Sequence, residues 1–459
     1  MNSDAPNPHA SNPPAQPPLP GLAAVAEVVS ELAELFVAAG KRLYLVGGVV
    51  RDLALGAHAV ADDIDLTTDA DPTLVKELVR PRATALWTQG ERFGTIGATV
   101  NGRDLEITTH RAEAYDHTSR KPVVAFGTSI EDDLVRRDFT MNAMAVSLPD
   151  RRLVDPFGGL ADLDRRHLVT PLAPVESFAD DPLRMLRAAR FVARFDLTVD
   201  PELERAATRL ASRLAIVSVE RVQGELDRLL ALPSPAAGLD LLVRTGLLGR
   251  IITPYGEGAQ AGAEPDAVAV AGVAATVAAR RAGLLLPLGA GAGAELRRLR
   301  YPRAVTRQTV DLIAAHPVAV SAAPSAADVR SVVADIGRDA LGELRALTDA
   351  THPGTTHPGT SLPFWTRLAE LEANEDLDQL GSPLPGRRIM EHLGLGPGPE
   401  VGLASRHLRR LRIEHGPMSE AEALSALDSW AAAGPDAAGD GSPTSPDDPA
   451  RQEDGGAKG

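Results

Sequence analysis

The chain has 459 residues, 44% of them hydrophobic, enough for several domains and a sizeable core. No apolar run approaches the ~20 residues of a membrane span, and the absence of cysteine excludes disulfides and Cys-ligated zinc and fits a reducing cytosol. A net charge of −15 argues at face value against a nucleic-acid partner. The arginines, however, gather in 184–194, 297–307 and 406–412, while residues 434–459 hold six acids, so local stripes outweigh the total.

In chain order, residues 1–20 are Pro-rich and of low complexity, read as disordered and without the charged and apolar regions of a signal peptide. Residues 22–39 form an amphipathic helix stopped by Gly40. Residues 43–46 are a short apolar run ending at Gly47-Gly48, a buried strand meeting a tight turn. A helix can start at Val49, which places the Gly47 and Gly48 amides where a phosphate would suit them. Asp63 and Asp65 follow within Asp-Ile-Asp-Leu-Thr-Thr. On a strand, residues two apart face one side, and two carboxylates so placed call for a cation. Mg²⁺ is the economical occupant, because it takes carboxylates together with substrate phosphates.

Asp71-Pro72 opens a further helix, and Asn101-Gly102 joins residues 91–100 to 103–109 as a hairpin. Glu106, on the second strand, is either a third carboxylate beside Asp63 and Asp65 or an ordinary solvent-facing strand residue. Residues 110–122 are polar, charged and aperiodic, which reads as a loop. Arg136 and Arg137 precede apolar positions, and two guanidiniums beside a carboxylate pair and a glycine turn would clamp a triphosphate.

From Ser177 onward the pattern is helical. Asp181-Pro182 starts a helix on which Arg184, Arg187, Arg190 and Arg194 share one arc, while Leu183, Leu186, Phe191 and Val192 anchor it elsewhere. This predicts an available Arg face, or else a plain solvated one. The repeated Thr-His-Pro-Gly-Thr at 351–360 makes a poor metal site and reads as a mobile loop, and a late helix runs through Arg406, Arg409, Arg410 and Arg412. Beyond about residue 433 the composition again predicts disorder.

The order Leu-Val-Gly-Gly-Val-Val-Arg-Asp, then Asp-Ile-Asp-Leu-Thr-Thr, then Arg-Arg-Asp-Phe-Thr-Met-Asn-Ala resembles the class II CCA-adding enzyme and poly(A) polymerase family over about residues 43–232, with a further likeness at 384–427. That resemblance implies an α+β protein: a polymerase-β-like nucleotidyltransferase head with a mixed sheet, followed by an elongated all-α neck, body and tail. The divisions it implies are a head at 21–170, a neck at 171–235, a body at 236–370 and a tRNA-binding tail at 371–432, flanked by disordered 1–20 and 433–459.

It further implies that Asp63 and Asp65 bind the catalytic Mg²⁺ ions, and that Gly47, Gly48 and Arg51 contact the triphosphate. Arg137, with Arg136, would then stand against the nucleotide. The family's Glu-Asp-x-x-Arg motif reads Asp180-Asp181-Pro182-Leu183-Arg184 here, so Asp181 and Arg184 would read the base, with Arg187 and Arg190 on the same nucleotide-binding face. The physical reason is that CTP and ATP both present an amine donor beside a ring-nitrogen acceptor, which a carboxylate and a guanidinium complement and UTP and GTP do not. Arg111, Glu113 and Arg120 fall in what resembles the family's flexible loop, which favours full CCA over CC-only addition. The implied reaction is two-metal nucleotidyl transfer to the tRNA 3′ end from CTP and ATP in the cytoplasm, releasing pyrophosphate. A poly(A) polymerase and an inactive RNA-binding relative are the alternatives. The chain contains no His-Asp dipeptide, which predicts no metal-dependent phosphohydrolase activity.

Overall fold

The computed structural model describes residues 19–57, 63–114, 123–126, 129–256, 263–354 and 362–433. The expectations for residues 1–18, for Arg120 and for the acidic stretch 434–459 lie outside the described residues. The expected first helix is two, α1 (Leu22–Val28) and α2 (Ser30–Ala38), interrupted at Val29. There the Ser30 hydroxyl donates to the Glu27 carbonyl at 2.9 Å, a local bond that competes with the helical ladder.

Seven strands form one mixed sheet, in the order β3-β4-β5-β2-β1-β8-β9. They are β1 (Leu43–Val46), β2 (Asp63–Thr68), β3 (Ala83–Trp87), β4 (Thr95–Val100), β5 (Arg103–Thr109), β8 (Ala145–Leu148) and β9 (Leu153–Val154). All four β1 side chains are buried, as its unbroken apolar run requires of a strand covered on both faces. β2 runs antiparallel to β1 and parallel to β5, whereas β4 and β5 form the hairpin. The turn residues Asn101 and Gly102 both have positive φ (51° and 73°), which suits a two-residue hairpin connection and tolerates Asn and Gly best. The hairpin's first strand begins only at Thr95, because Glu91–Phe93 is a single 3₁₀ turn.

Between β1 and β2 lies α3 (Gly48–Ala54), and α4 (Pro72–Val79) begins where Asp71 accepts from the Thr73 and Leu74 amides at 2.9 and 3.0 Å. The segment read as one loop from 110 to 122 is partly strand. β6 (Arg111–Ala114) pairs antiparallel with β7 (Val123–Phe126), whose Val-Val-Ala-Phe run has the β-propensity that the charged partner lacks.

After α5 (Ile130–Val135), α6 (Gly159–Asp164) and α7 (Pro174–Asp180), the chain enters α8 (Leu183–Phe195), α9 (Pro201–Leu210) and α10 (Val219–Leu230). Packing divides the chain into two units, residues 1–273 with 291–302, and residues 274–290 with 303–459. The first holds the sheet and α1 to α10. The second is helical throughout its described residues, with a core that includes Leu384, Ile389, Leu408, Leu427 and Trp430. In the second unit, Thr351 ends a helix and residues 352–354 follow it as a bend and a turn. Thr351 Oγ1 lies 2.9 Å from His316 Nε2, and the His316 and His352 rings are 6.4 Å apart. Residues 355–361 lie outside the described residues.

Candidate active site

The sheet brings β2 and β5 side by side in a register that pairs Asp65 with Glu106 and Asp63 with Asp104. Asp65 and Glu106 are both exposed. Glu106 therefore stands beside the carboxylate pair, a placement that follows from parallel pairing across about 40 intervening residues and could not be read from spacing.

Next to Asp65, the chain leaves β1 through Gly47 with φ 72° and ψ −133°, a conformation open to glycine alone. A β-carbon there would lie 2.9 Å from Arg137 Nη1 and 3.5 Å from Asp65 Oδ2. Gly47 thus keeps open a cradle between a guanidinium and a carboxylate. A pocket of 270 Å³ lies alongside, lined by Val46, Asp65, Leu66, Glu106, Thr108, Asp133, Arg136 and Arg137. Arg137 donates to the buried Asp133 at 3.1 Å, and its Nε is buried with no hydrogen-bond partner among the described residues. Such an orphaned donor suits an incoming phosphate oxygen. Among the described residues no cluster of three or more His, Asp or Glu forms a ready metal cage. A pair of carboxylates completed by substrate phosphates fits Mg²⁺, which does not demand an all-protein cage.

Arg51 is buried and held in place. It donates to Asn142 Oδ1 at 2.6 Å and to Asp52 at 2.9 Å, with its guanidinium 4.7 Å from the Phe195 ring centre. Burial pulls its pKa below the ordinary arginine value, against the pull of Asp52. The residue expected to touch the triphosphate therefore also ties α3 to α8. Its terminal nitrogen still lies beside Gly48, 3.4 Å from where a β-carbon would be.

Three arginines of α8 face carboxylates across the fold, and of these Arg194 stays exposed. Arg187 pairs with Asp138 at 2.6 Å, Arg190 with Glu225 at 2.7 Å, and Arg194 lies 3.8 Å from Asp52. A stripe of like charges is relieved by carboxylates placed opposite, and the tertiary fold supplies them. Arg190 is only 8% exposed and braces α8 against α10 through Glu225. Asp138 is buried. Burial alone would raise its pKa, but Arg187 and Asn142 more than offset this and hold it below the usual carboxylate range.

Asp181 has both oxygens engaged. Oδ1 accepts from the Leu183 amide at 3.1 Å, capping α8, while Oδ2 accepts from Arg221 at 2.8 Å. Capping leaves Asp181 free to accept further hydrogen bonds, since each carboxylate oxygen carries two lone pairs. Arg184 donates to Ser177 Oγ at 2.8 Å and to the Arg136 carbonyl, which sets it above the Arg136–Arg137 segment at the pocket edge.

Sequence reasoning missed Asp138, Asn142, Arg221 and Glu225. Glu225 did carry a signal, being an acid inside the buried stripe Val222, Leu226, Leu229 and Leu230. Arg111 and Glu113 fall on β6, and their side chains lie outside what the structure describes.

Residues 43–169 match the poly A polymerase head domain, and residues 196–257 match the probable RNA and SrmB-binding site of polymerase A. The fold is thus that of a nucleotidyltransferase head joined to helices. A CCA-adding enzyme of Geobacillus sp. (strain WCH70) is 41% identical over 209 residues, covering 45% of this chain and 50% of that protein. One from Bacillus subtilis (strain 168) is 37% identical over 214 residues, covering 46% and 52%. The chain spans about half the length of the curated relatives it matches.

The crystal structure of the Bacillus stearothermophilus CCA-adding enzyme in complex with CTP matches with a TM-score of 0.68 at 26% identity, covering 89% of this chain and 98% of that one. The Thermotoga maritima CCA-adding enzyme complexed with tRNA shares the fold, with a TM-score of 0.62 at 19% identity over 89% of this chain and 96% of that one. Over residues 43–169 and 196–257 the chain is thus similar to poly A polymerase domains, and over about half of their length to CCA-adding enzymes.

Proposed function

We propose that the chain adds C, C and A to the 3′ end of tRNA from CTP and ATP without a nucleic-acid template, in the cytoplasm. The observation that carries this reading is the cradle in which Gly47, Asp65 and Arg137 converge within 3.5 Å of one missing side chain, with Glu106 paired to Asp65. The likeness to CCA-adding enzymes, over half of each curated relative and nearly all of a CTP-bound structure, supports CCA addition over poly(A) synthesis. No helix among the described residues is long and apolar enough to cross a membrane.

Asp63 and Asp65, with Glu106 alongside, would hold Mg²⁺, which when bound supplies Lewis-acid activation of the 3′-hydroxyl and neutralises the triphosphate. The chain's own residues position the reactants. The Gly47 and Gly48 amides and Arg137 receive the phosphates, with Arg136 and Arg51 next to them, and no side-chain nucleophile takes part. Asp181 accepts from the exocyclic amine of cytosine or adenine, and Arg184, turning from Ser177, donates to the adjacent acceptors. Uracil and guanine leave both groups unpaired, at about 1–3 kcal/mol per group. Arg187 keeps this segment of α8 against Asp138. Residues 21–170 act as head, 171–235 as neck, 236–370 as body and 371–432 as the tail that holds tRNA, with Arg111, Glu113 and Arg120 in a loop that assists the change from C to A.

The test is incubation of the purified chain with tRNA lacking its 3′ end, supplied with CTP plus ATP or with ATP alone. Addition of three nucleotides that stops after A is expected. Long A-only tails on unstructured RNA would make it a poly(A) polymerase, and unchanged incorporation by Asp65→Ala would remove the carboxylate site from the reaction.

A further inference from the structure

The register of the sheet places Trp87 in line with Glu106 and Asp65. β3 pairs Trp87 with Gly97, β4 pairs Gly97 with Glu106, and β5 pairs Glu106 with Asp65. The four positions form one row across four strands, and directly paired residues project to the same face. Gly97 brings no side chain to that row, and the indole fills its place. A β-carbon at 97 would fall 1.9 Å from Trp87 Nε1 and 2.0 Å from Cε2. The Trp87 ring therefore lies over β4, at the position in the row next to Glu106. Trp87 is half-buried, and its indole N–H has no hydrogen-bond partner among the described residues.

The geometry of the reaction says which reactant this surface faces. The phosphate cradle of Gly47 and Arg137 adjoins β1, on one side of Asp65. Displacement at a phosphorus proceeds in line, so the attacking hydroxyl approaches from the side opposite the departing pyrophosphate. In the order β3-β4-β5-β2-β1 that side is β5, β4 and β3, where the indole lies. Aromatic faces bind successive bases without regard to sequence, which suits a primer end that is C after one cycle and another base before it.

We propose that Trp87, seated by Gly97, is the stacking platform for the terminal base of the RNA acceptor, holding its 3′-hydroxyl toward Asp65 and Glu106. This inference rests on the nucleotidyl-transfer reading above. Trp87 is a binding residue for the acceptor, distinct from the groups that read the incoming base.

Trp87→Ala is expected to raise KM for 3′-trimmed tRNA about ten- to a hundredfold, the span of one base–aromatic stack, with KM for CTP unchanged. Trp87→Phe recovers most of the loss, which separates stacking from folding. Gly97→Val reproduces the Ala phenotype with the tryptophan still present, because its side chain expels the indole. The chain has three tryptophans, so a Trp365→Phe/Trp430→Phe background leaves Trp87 as the sole emitter. Its fluorescence is expected to be quenched by trimmed tRNA and not by CTP alone. A Trp87→Ala chain that incorporates nucleotides with a normal acceptor KM, or whose defect lies in KM for CTP, overturns the inference alone. A parent chain that incorporates nothing into any RNA overturns the transfer reading and this inference with it.

Discussion

Glu225 holds α8 against α10, and replacing it tests whether the Arg stripe is a braced element or a free binding face. The carboxylate is 1% exposed and accepts from Arg190 at 2.7 Å and from Arg228 at 2.8 Å, with Arg187 at 4.0 Å. Burial draws the Arg190 pKa down while Glu225 supports it, so loss of the acid strands a charge in a site with little access to water. Breaking one side of such a pair costs about 3–5 kcal/mol. That is a large part of the roughly 5–15 kcal/mol that holds a typical domain. At about 2–4 °C per kcal/mol for a unit of this scale, Glu225→Ala is expected to lower Tm by roughly 6–20 °C. Glu225→Gln keeps an acceptor without the charge and falls between.

The decisive arm is Arg190→Met combined with Glu225→Leu. Replacing both members of a buried ion pair with apolar groups is often neutral, so the double variant should recover most of the loss. Circular dichroism melts of the three variants and the parent provide the measurement. A Glu225→Ala chain melting within about 2 °C of the parent refutes the reasoning. So does a double variant no more stable than the single one, since the pair would then not be the source of the effect.

Gly47→Ala is expected to cut incorporation on the order of 100-fold, because its β-carbon would press to 2.9 Å on Arg137 and the backbone there has φ 72°. A chain with this change that keeps parental activity removes the cradle from the site. In the helical unit, burial first and the His352 charge second pull the His316 pKa down to about 4 from 6.5. Between those values the unfolded chain binds a proton that the folded chain does not, so stability falls as pH drops through that window. The slope is at most about 1.4 kcal/mol per pH unit, and less because the ring is partly exposed. Melts of the parent and His316→Gln across the window should show a shallower slope in the variant, and equal slopes would clear His316 of the effect.

Local chemistry was legible in the sequence wherever a single residue type or a short period decides the outcome. Gly47 marks a backbone angle that side chains avoid, Asn101-Gly102 a turn with two positive φ values, and Asp71-Pro72 a capped helix start. The spacing of Asp63 and Asp65 set both on one strand for the same reason. The helix read over 22–39 broke at Val29, and strands β3 and β6 were absent from the sequence reading. Both strands carry alanines or charges in place of a β-branched run, and each is held by a partner strand whose contribution no local window contains.

Sequence by itself determined the family resemblance, the glycine turn, the paired Asp residues and the helices that follow the head, because these depend on neighbours within a few positions. Only the tertiary structure decided which groups meet. Glu106 reaches Asp65 through parallel pairing, Arg187 meets Asp138 from 49 residues away, Arg190 meets Glu225 across 35, and Trp87 slides over a glycine on the next strand. A charge on a helix wheel looks the same whether it faces water or a buried carboxylate. What separates the two is desolvation, which exists only once the elements have packed.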